Sequence, residues 1–188
     1  MSEADALALL ERALTQMAGV IAAIDIDAEG RLATPCPDWD VRALVRHVIG
    51  QDLRNFIVVA RDITAAWQAP AEELGADWAV QFRDGARRLL DAWRAADPRQ
   101  LGRADMQIAE LATHAWDLAT ATGLRQGLDD VLAEHSLSWS RQMLRPEFRG
   151  PDKAFGAEVP VPPGAPAYDR LAGWFGRDPA WPKGAGDA

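Results

Sequence analysis

The chain has 188 residues and a formal net charge of −8, enough length for one domain with its own core. Its acidic balance excludes the basic face that a nucleic acid or an anionic membrane surface requires. The single cysteine, Cys36, rules out an internal disulfide and suits a reducing cytoplasm. The opening MSEADALALL lacks the basic and apolar regions of a secretory signal, and no apolar run approaches the ~20 residues that span a bilayer.

Helix-favouring Ala, Leu and Arg are abundant and β-branched clusters are few, so the elements read as helices. The first runs from Ala4 to about Ile24, with Leu7, Leu10, Leu14, Met17 and Ile21 spaced by threes and fours along one face. Gly30, Pro35 and Pro37 then force a loop. Asp40 is placed to cap a second helix, with Trp39 before it positioned to pack back on Leu44 as a hydrophobic staple. Val41, Leu44, Val45, Val48, Ile49, Leu53, Phe56 and Ile57 carry that helix to about Trp67. A third spans about Asp77 to Ala96, a fourth Ala104 to Thr122 with Gly123 as its stop, and a fifth Asp129 to Leu144 ahead of Pro146. The closing stretch is rich in Pro and Gly. It holds one short helical piece, Ala167 to Phe175, and reads as a tail anchored by Phe155, Trp174 and Phe175. The expected organisation is a helical bundle over residues 1–150 and a tail over 151–188 packed on it.

The chemistry-bearing residues are few. On a helix turning ~100° per residue, Glu110, His114 and Asp117 fall within an arc of roughly 60°. A carboxylate and an imidazole four residues apart reach one ion, but a solvated surface pair fits the same spacing. His47 lies two turns into the second helix, on the margin of its apolar stripe. There it is either a ligand at the mouth of the bundle or a partly exposed, hydrogen-bonded histidine. His135 has no partner at ligand spacing on its helix and reads as structural or exposed. Cys36, held between prolines with no evident base, reads as a packed loop cysteine. The eight tryptophans read as core and loop anchors, with Trp39 and Trp116 as candidates to border a pocket. Phosphate-loop, dinucleotide, nucleophile-elbow and C-x-x-C motifs are all missing.

Two segments, TPCPDWDVRALVRHVIGQ and IAELATHAWDLATATG, together resemble the signatures of a known family. It is the metal-binding, DinB-like (DinB/YfiT-like) four-helix bundles related to mycothiol-dependent maleylpyruvate isomerase, typical of actinobacteria. The tail resembles the closing segment of its small members, whereas the isomerase itself carries a separate C-terminal domain that contributes to its active site. The resemblance implies an all-α bundle with an extra helix, and a metal, commonly zinc, held by His47, Glu110 and His114. It gives Asp117 an outer role beside the ligands. It further implies an open coordination position for a low-molecular-weight thiol, mycothiol, which would attack a small electrophile. The expected activity is that of a cytoplasmic thiol transferase or isomerase. A non-catalytic metal-binding module uses the same three ligands, and pairing of bundles into a homodimer is compatible with the family.

Overall fold

A computed structural model describes residues 3–37, 39–150 and 155–182. The remaining positions of the expected tail, 151–154 and 183–188, lie outside the described residues. The helices are α1 (Glu3–Ala23), a short α2 (Ile26–Glu29), α3 (Val41–His47), α4 (Leu53–Ala60), α5 (Trp78–Arg94), α6 (Ala104–Ala121), α7 (Asp130–Met143) and α8 (Ala167–Trp174). A π turn, Val48–Asp52, joins α3 to α4, so the three form the second long rod of the bundle. The described residues contain two isolated β-bridges and no named strand.

α1 packs against α5 and α6, α4 against α5, and α3 against α6, which makes a four-helix bundle. α7 lies on the outer side of α6, and α8 rests on both. Leu10, Leu14 and Met17 of α1 are buried with Leu44, Phe56, Phe82, Leu89, Ile108, Leu111 and Leu118. Each such side chain contributes about 1.5–3 kcal/mol by leaving water. By length and composition alone α1 is also apolar enough to cross a membrane, which the sequence reading did not anticipate. In the fold it is one of the four bundle helices, its apolar face packed against α5 and α6. A polar stitch fixes the register of the other elements: Trp93 Nε1 donates to Gln107 Oε1 at 2.9 Å, and Gln107 Nε2 donates to the carbonyl of Phe56 at 3.3 Å.

Most helix ends follow their caps. The Asp40 carboxylate accepts from the Ala43 amide, Asp77 from Val80 and Asp129 from Val131. α6 ends at Gly123 with φ of 75°.

The second rod departs from expectation. The predicted helix to Trp67 stops at Ala60, where Asp62 turns the chain with φ of 59°. Asp is among the few residues that tolerate this region. The π turn is the other departure. Gly50 sits within it, and the loop backbone at Glu72 lies so close that a Cβ on Gly50 would meet the Glu72 carbonyl at 2.7 Å. The Glu72 amide donates to the Gly50 carbonyl at 3.1 Å. The loop thus seals the widened turn, and only glycine leaves room for it.

The described part of the tail is tied to its surroundings. Gln16 of α1 donates to the Tyr168 hydroxyl at 2.7 Å, and Phe155 packs on Phe175 with ring centroids 5.6 Å apart. Arg149 lies over the Trp174 ring at 4.1 Å.

Candidate metal centre

The π turn has a direct consequence for side-chain geometry. In an α-helix, positions five apart point about 140° away from each other. The wider turn brings His47 and Asp52 to the same side, with His47 Nε2 3.2 Å from Asp52 Oδ1. π turns recur at functional sites for this reason. The same turn sets Gln51 Oε1 2.8 Å from His47 Nδ1, and the Gln51 amide in turn donates to the carbonyls of Trp67 and, at 3.3 Å, of Ala69.

α6 supplies the facing half. The imidazole of His114 stands edge-on to that of His47, with centroids 5.4 Å apart. His114 Nε2 is 3.5 Å from Glu110 Oε2, and its Nδ1 is 3.1 Å from Asp117 Oδ2. Trp39 closes one side, its ring 4.2 Å from that of His47 and 5.9 Å from that of His114. It lies against these rings, contacts that the expected staple on Leu44 did not foresee. Among the described residues, one ligand atom each from His47, Asp52 and His114 lies within 4.8 Å of the other two.

Burial grades the carboxylates. Asp117 is fully buried and Asp52 nearly so, whereas a third of the Glu110 side chain reaches solvent. Glu110 is therefore the acidic member that faces the opening. Its pKa is raised, because burial and the neighbouring Asp52 carboxylate outweigh the favourable charges of His114, Arg177 and His47. The pKa of His47 is also raised. Burial pulls it down, but the hydrogen bond and charge of Asp52, the bond to Gln51 and the charge of Glu110 prevail. Asp117 is held below the ordinary carboxylate value. Burial alone would raise it, and the Arg177 guanidinium together with His114 reverses that.

Arg177, from the tail, was not foreseen. Its Nε donates to Asp117 Oδ1 at 3.2 Å and its Nη2 to Asp117 Oδ2 at 3.0 Å, a bidentate pair inside the protein. Its Nη2 also lies 3.7 Å from Cys36 Sγ, so the cysteine expected to be a plain packed residue borders this charge cluster. Asp52 was missed as well, because straight helical spacing turns it away from His47. The Gly within VIGQD was the available hint. Of the other residues considered, Trp116 is buried with the Arg125 guanidinium over its ring. His135 pairs across helices with Asp105 at 2.8 Å, the partner that spacing on its own helix did not show. Of the three residues expected from separate segments, His47 and His114 thus face each other and share their cluster with Asp52, while Glu110 approaches His114 alone, at 3.5 Å.

Comparison with known proteins gives the family of the chain. The family described as the mycothiol maleylpyruvate isomerase N-terminal domain matches residues 10–119, more than half of the chain and the whole span that carries His47, Asp52, Glu110 and His114. Uncharacterized proteins from two strains of Mycobacterium tuberculosis are each 33% identical over 183 residues, covering 92% of this chain and 98% of the relative. No solved structure matches it. The all-α, DinB-like bundle and the family expected from the two signature segments are both borne out. The chain belongs to the mycothiol maleylpyruvate isomerase N-terminal domain family.

Proposed function

We propose that this chain is a metal-dependent, thiol-using transferase or isomerase. In this reading His47, Glu110 and His114 hold a divalent ion, zinc by preference, and mycothiol is the thiol. The observation that carries it is the orientation of the two imidazoles. Each has Nδ1 tied to an outer partner, Gln51 or Asp117, and turns Nε2 toward a carboxylate, Asp52 or Glu110. Metal-binding histidines have this arrangement, with one nitrogen fixed by an outer partner and the other free to ligate. Two imidazoles and a carboxylate suit zinc and leave a coordination position open. Asp52 and Glu110 together balance the charge of a dication, with Asp52 held against His47 Nε2 at 3.2 Å.

Bound there, a dication would strip the proton from a thiol whose pKa is ordinarily about 8.5, supplying a thiolate at neutral pH. The chain's own residues hold the geometry. Gln51 and Asp117 fix the ring orientations, Trp39 shields one face of the imidazole pair, and Glu110 stands at the solvent side, where substrate would enter. Thiolate addition to an activated double bond, followed by its loss, isomerises the bond; displacement of a leaving group gives a thioether. In the proposed organisation residues 1–150 form the bundle that carries the donors and 151–188 the tail, whose Arg177 braces Asp117. The proposed compartment is the cytoplasm, where a lone cysteine stays reduced.

The test is zinc content of the purified chain, followed by mycothiol titration and mass spectrometry with a panel of electrophiles. Stoichiometric zinc in the wild type, its loss in His47→Ala, Glu110→Ala and His114→Ala, and a zinc-dependent mycothiol conjugate are expected. Stoichiometric zinc in all three variants overturns the donor set. Zinc without thiol binding or conjugate marks a storage or sensing module instead.

A further inference from the structure

The tail ends its helix in a particular way. Gly176 adopts φ of 83°, its amide returns to the carbonyl of Gly173 at 3.0 Å, and the Arg177 amide returns to that of Ala172 at 2.9 Å. This pair of bonds is a Schellman closure, in which the left-handed position favours glycine. It reverses the chain over the end of α8, and α8 itself rests on α6. The reversed residue delivers its guanidinium to Asp117.

We propose that Arg177 is a positioning residue for the metal centre, setting the orientation of His114 through Asp117. Asp117 has no solvent-accessible surface, so its carboxylate is oriented by what it touches. Arg177 grips both of its oxygens, and Oδ2 is the one that faces His114 Nδ1. The carboxylate can only accept, so Nδ1 donates to it and Nε2 is the nitrogen left for a ligand's role. The guanidinium is itself anchored by Nη1 on the Phe175 carbonyl at 3.1 Å, which keeps the relay rigid. A lysine would keep the charge but lose the two-pronged grip that fixes the carboxylate plane. The role rests on the metal reading above, yet the step from Arg177 to His114 is visible without any metal.

The experiment uses the full chain in four forms: wild type, Arg177→Lys, Asp117→Asn and the double variant Asp117→Asn with Arg177→Met. The last removes both buried charges, so an uncompensated charge cannot masquerade as a lost relay. Two readouts are taken: zinc affinity by competition with a chromophoric chelator, and the His114 Nδ1 proton in metal-free, ¹⁵N-histidine-labelled protein. Arg177→Lys is expected to weaken zinc binding about 10-fold and Asp117→Asn about 10–100-fold. The double variant should match Asp117→Asn within about twofold, as members of one relay do. The Nδ1 proton should be slowly exchanging in wild type and shifted in Arg177→Lys. A wild-type Nδ1 signal and wild-type zinc affinity in Arg177→Lys overturn the proposal, as does a double variant about 10-fold weaker than Asp117→Asn. Should the wild type bind no zinc while the Nδ1 signal still responds to Arg177, the relay stands and the metal reading fails.

Discussion

Gly50→Ala tests whether the sealed π turn holds the site together. The added Cβ would sit 2.7 Å from the Glu72 carbonyl oxygen and 2.9 Å from its nitrogen, both backbone atoms that cannot swing aside. The loop must retreat by several tenths of an ångström, stretching the 3.1 Å bond from the Glu72 amide to the Gly50 carbonyl. Overpacking of this kind costs about 1–3 kcal/mol and the lost hydrogen bond about 1 kcal/mol. Alanine returns up to about 1 kcal/mol through its helical preference, leaving a net loss of about 1–4 kcal/mol. The retreating loop also carries the Trp67 and Ala69 carbonyls that hold Gln51, and Gln51 holds His47. Zinc affinity should therefore fall together with stability. Urea unfolding and chelator competition measure the two. A Gly50→Ala variant as stable as wild type would refute the close approach. Loss of stability with zinc affinity intact would refute the link from loop to His47.

Glu110→Gln should stabilise the metal-free chain at neutral pH while abolishing zinc binding, since a partly exposed carboxyl whose pKa is raised by desolvation and by Asp52 is held charged at a cost; thermal melts with and without chelator separate the two effects. The pH dependence of the metal-free chain has a definite sign. Glu110 and His47 both have raised folded pKa values, so the stability they contribute is present below their ordinary values of 4.5 and 6.5 and is lost as pH rises through the folded ones. Melting temperature in chelator should fall between pH 5 and 8, and a rise would contradict these shifts. Asp117 acts oppositely, its contribution present above 3.8 and lost as acid protonates it below that value. Trp93→Phe should cost about 1–3 kcal/mol by leaving the buried Gln107 oxygen without its donor, read by urea unfolding.

The long, periodic helices were legible because their caps and apolar stripes agree. Asp40, Asp77 and Asp129 each cap the helix they precede. Glu110, His114 and Asp117 were legible because α6 is a regular helix, and regular spacing translates directly into a shared face. The second rod was not, since its register shifts at Val48–Asp52 for a reason that lies in the loop at Glu72, a tertiary contact with no local signature. Asp52 was lost with that shift. Arg177 was beyond reach for a related reason. Its contact with Asp117 spans 60 residues and depends on how α8 docks, and only the buried charge of Asp117 calls for such a partner. Trp39 was expected as a staple on Leu44 and as a candidate pocket border, and neither reading reveals the histidine rings it lies against.

X-ray absorption of the zinc-loaded chain in thiol-free buffer tests the central claim most directly. The account predicts two histidine imidazoles and oxygen donors around the ion, with sulfur appearing only after mycothiol is added. A single imidazole, or sulfur already present from Cys36, would contradict it.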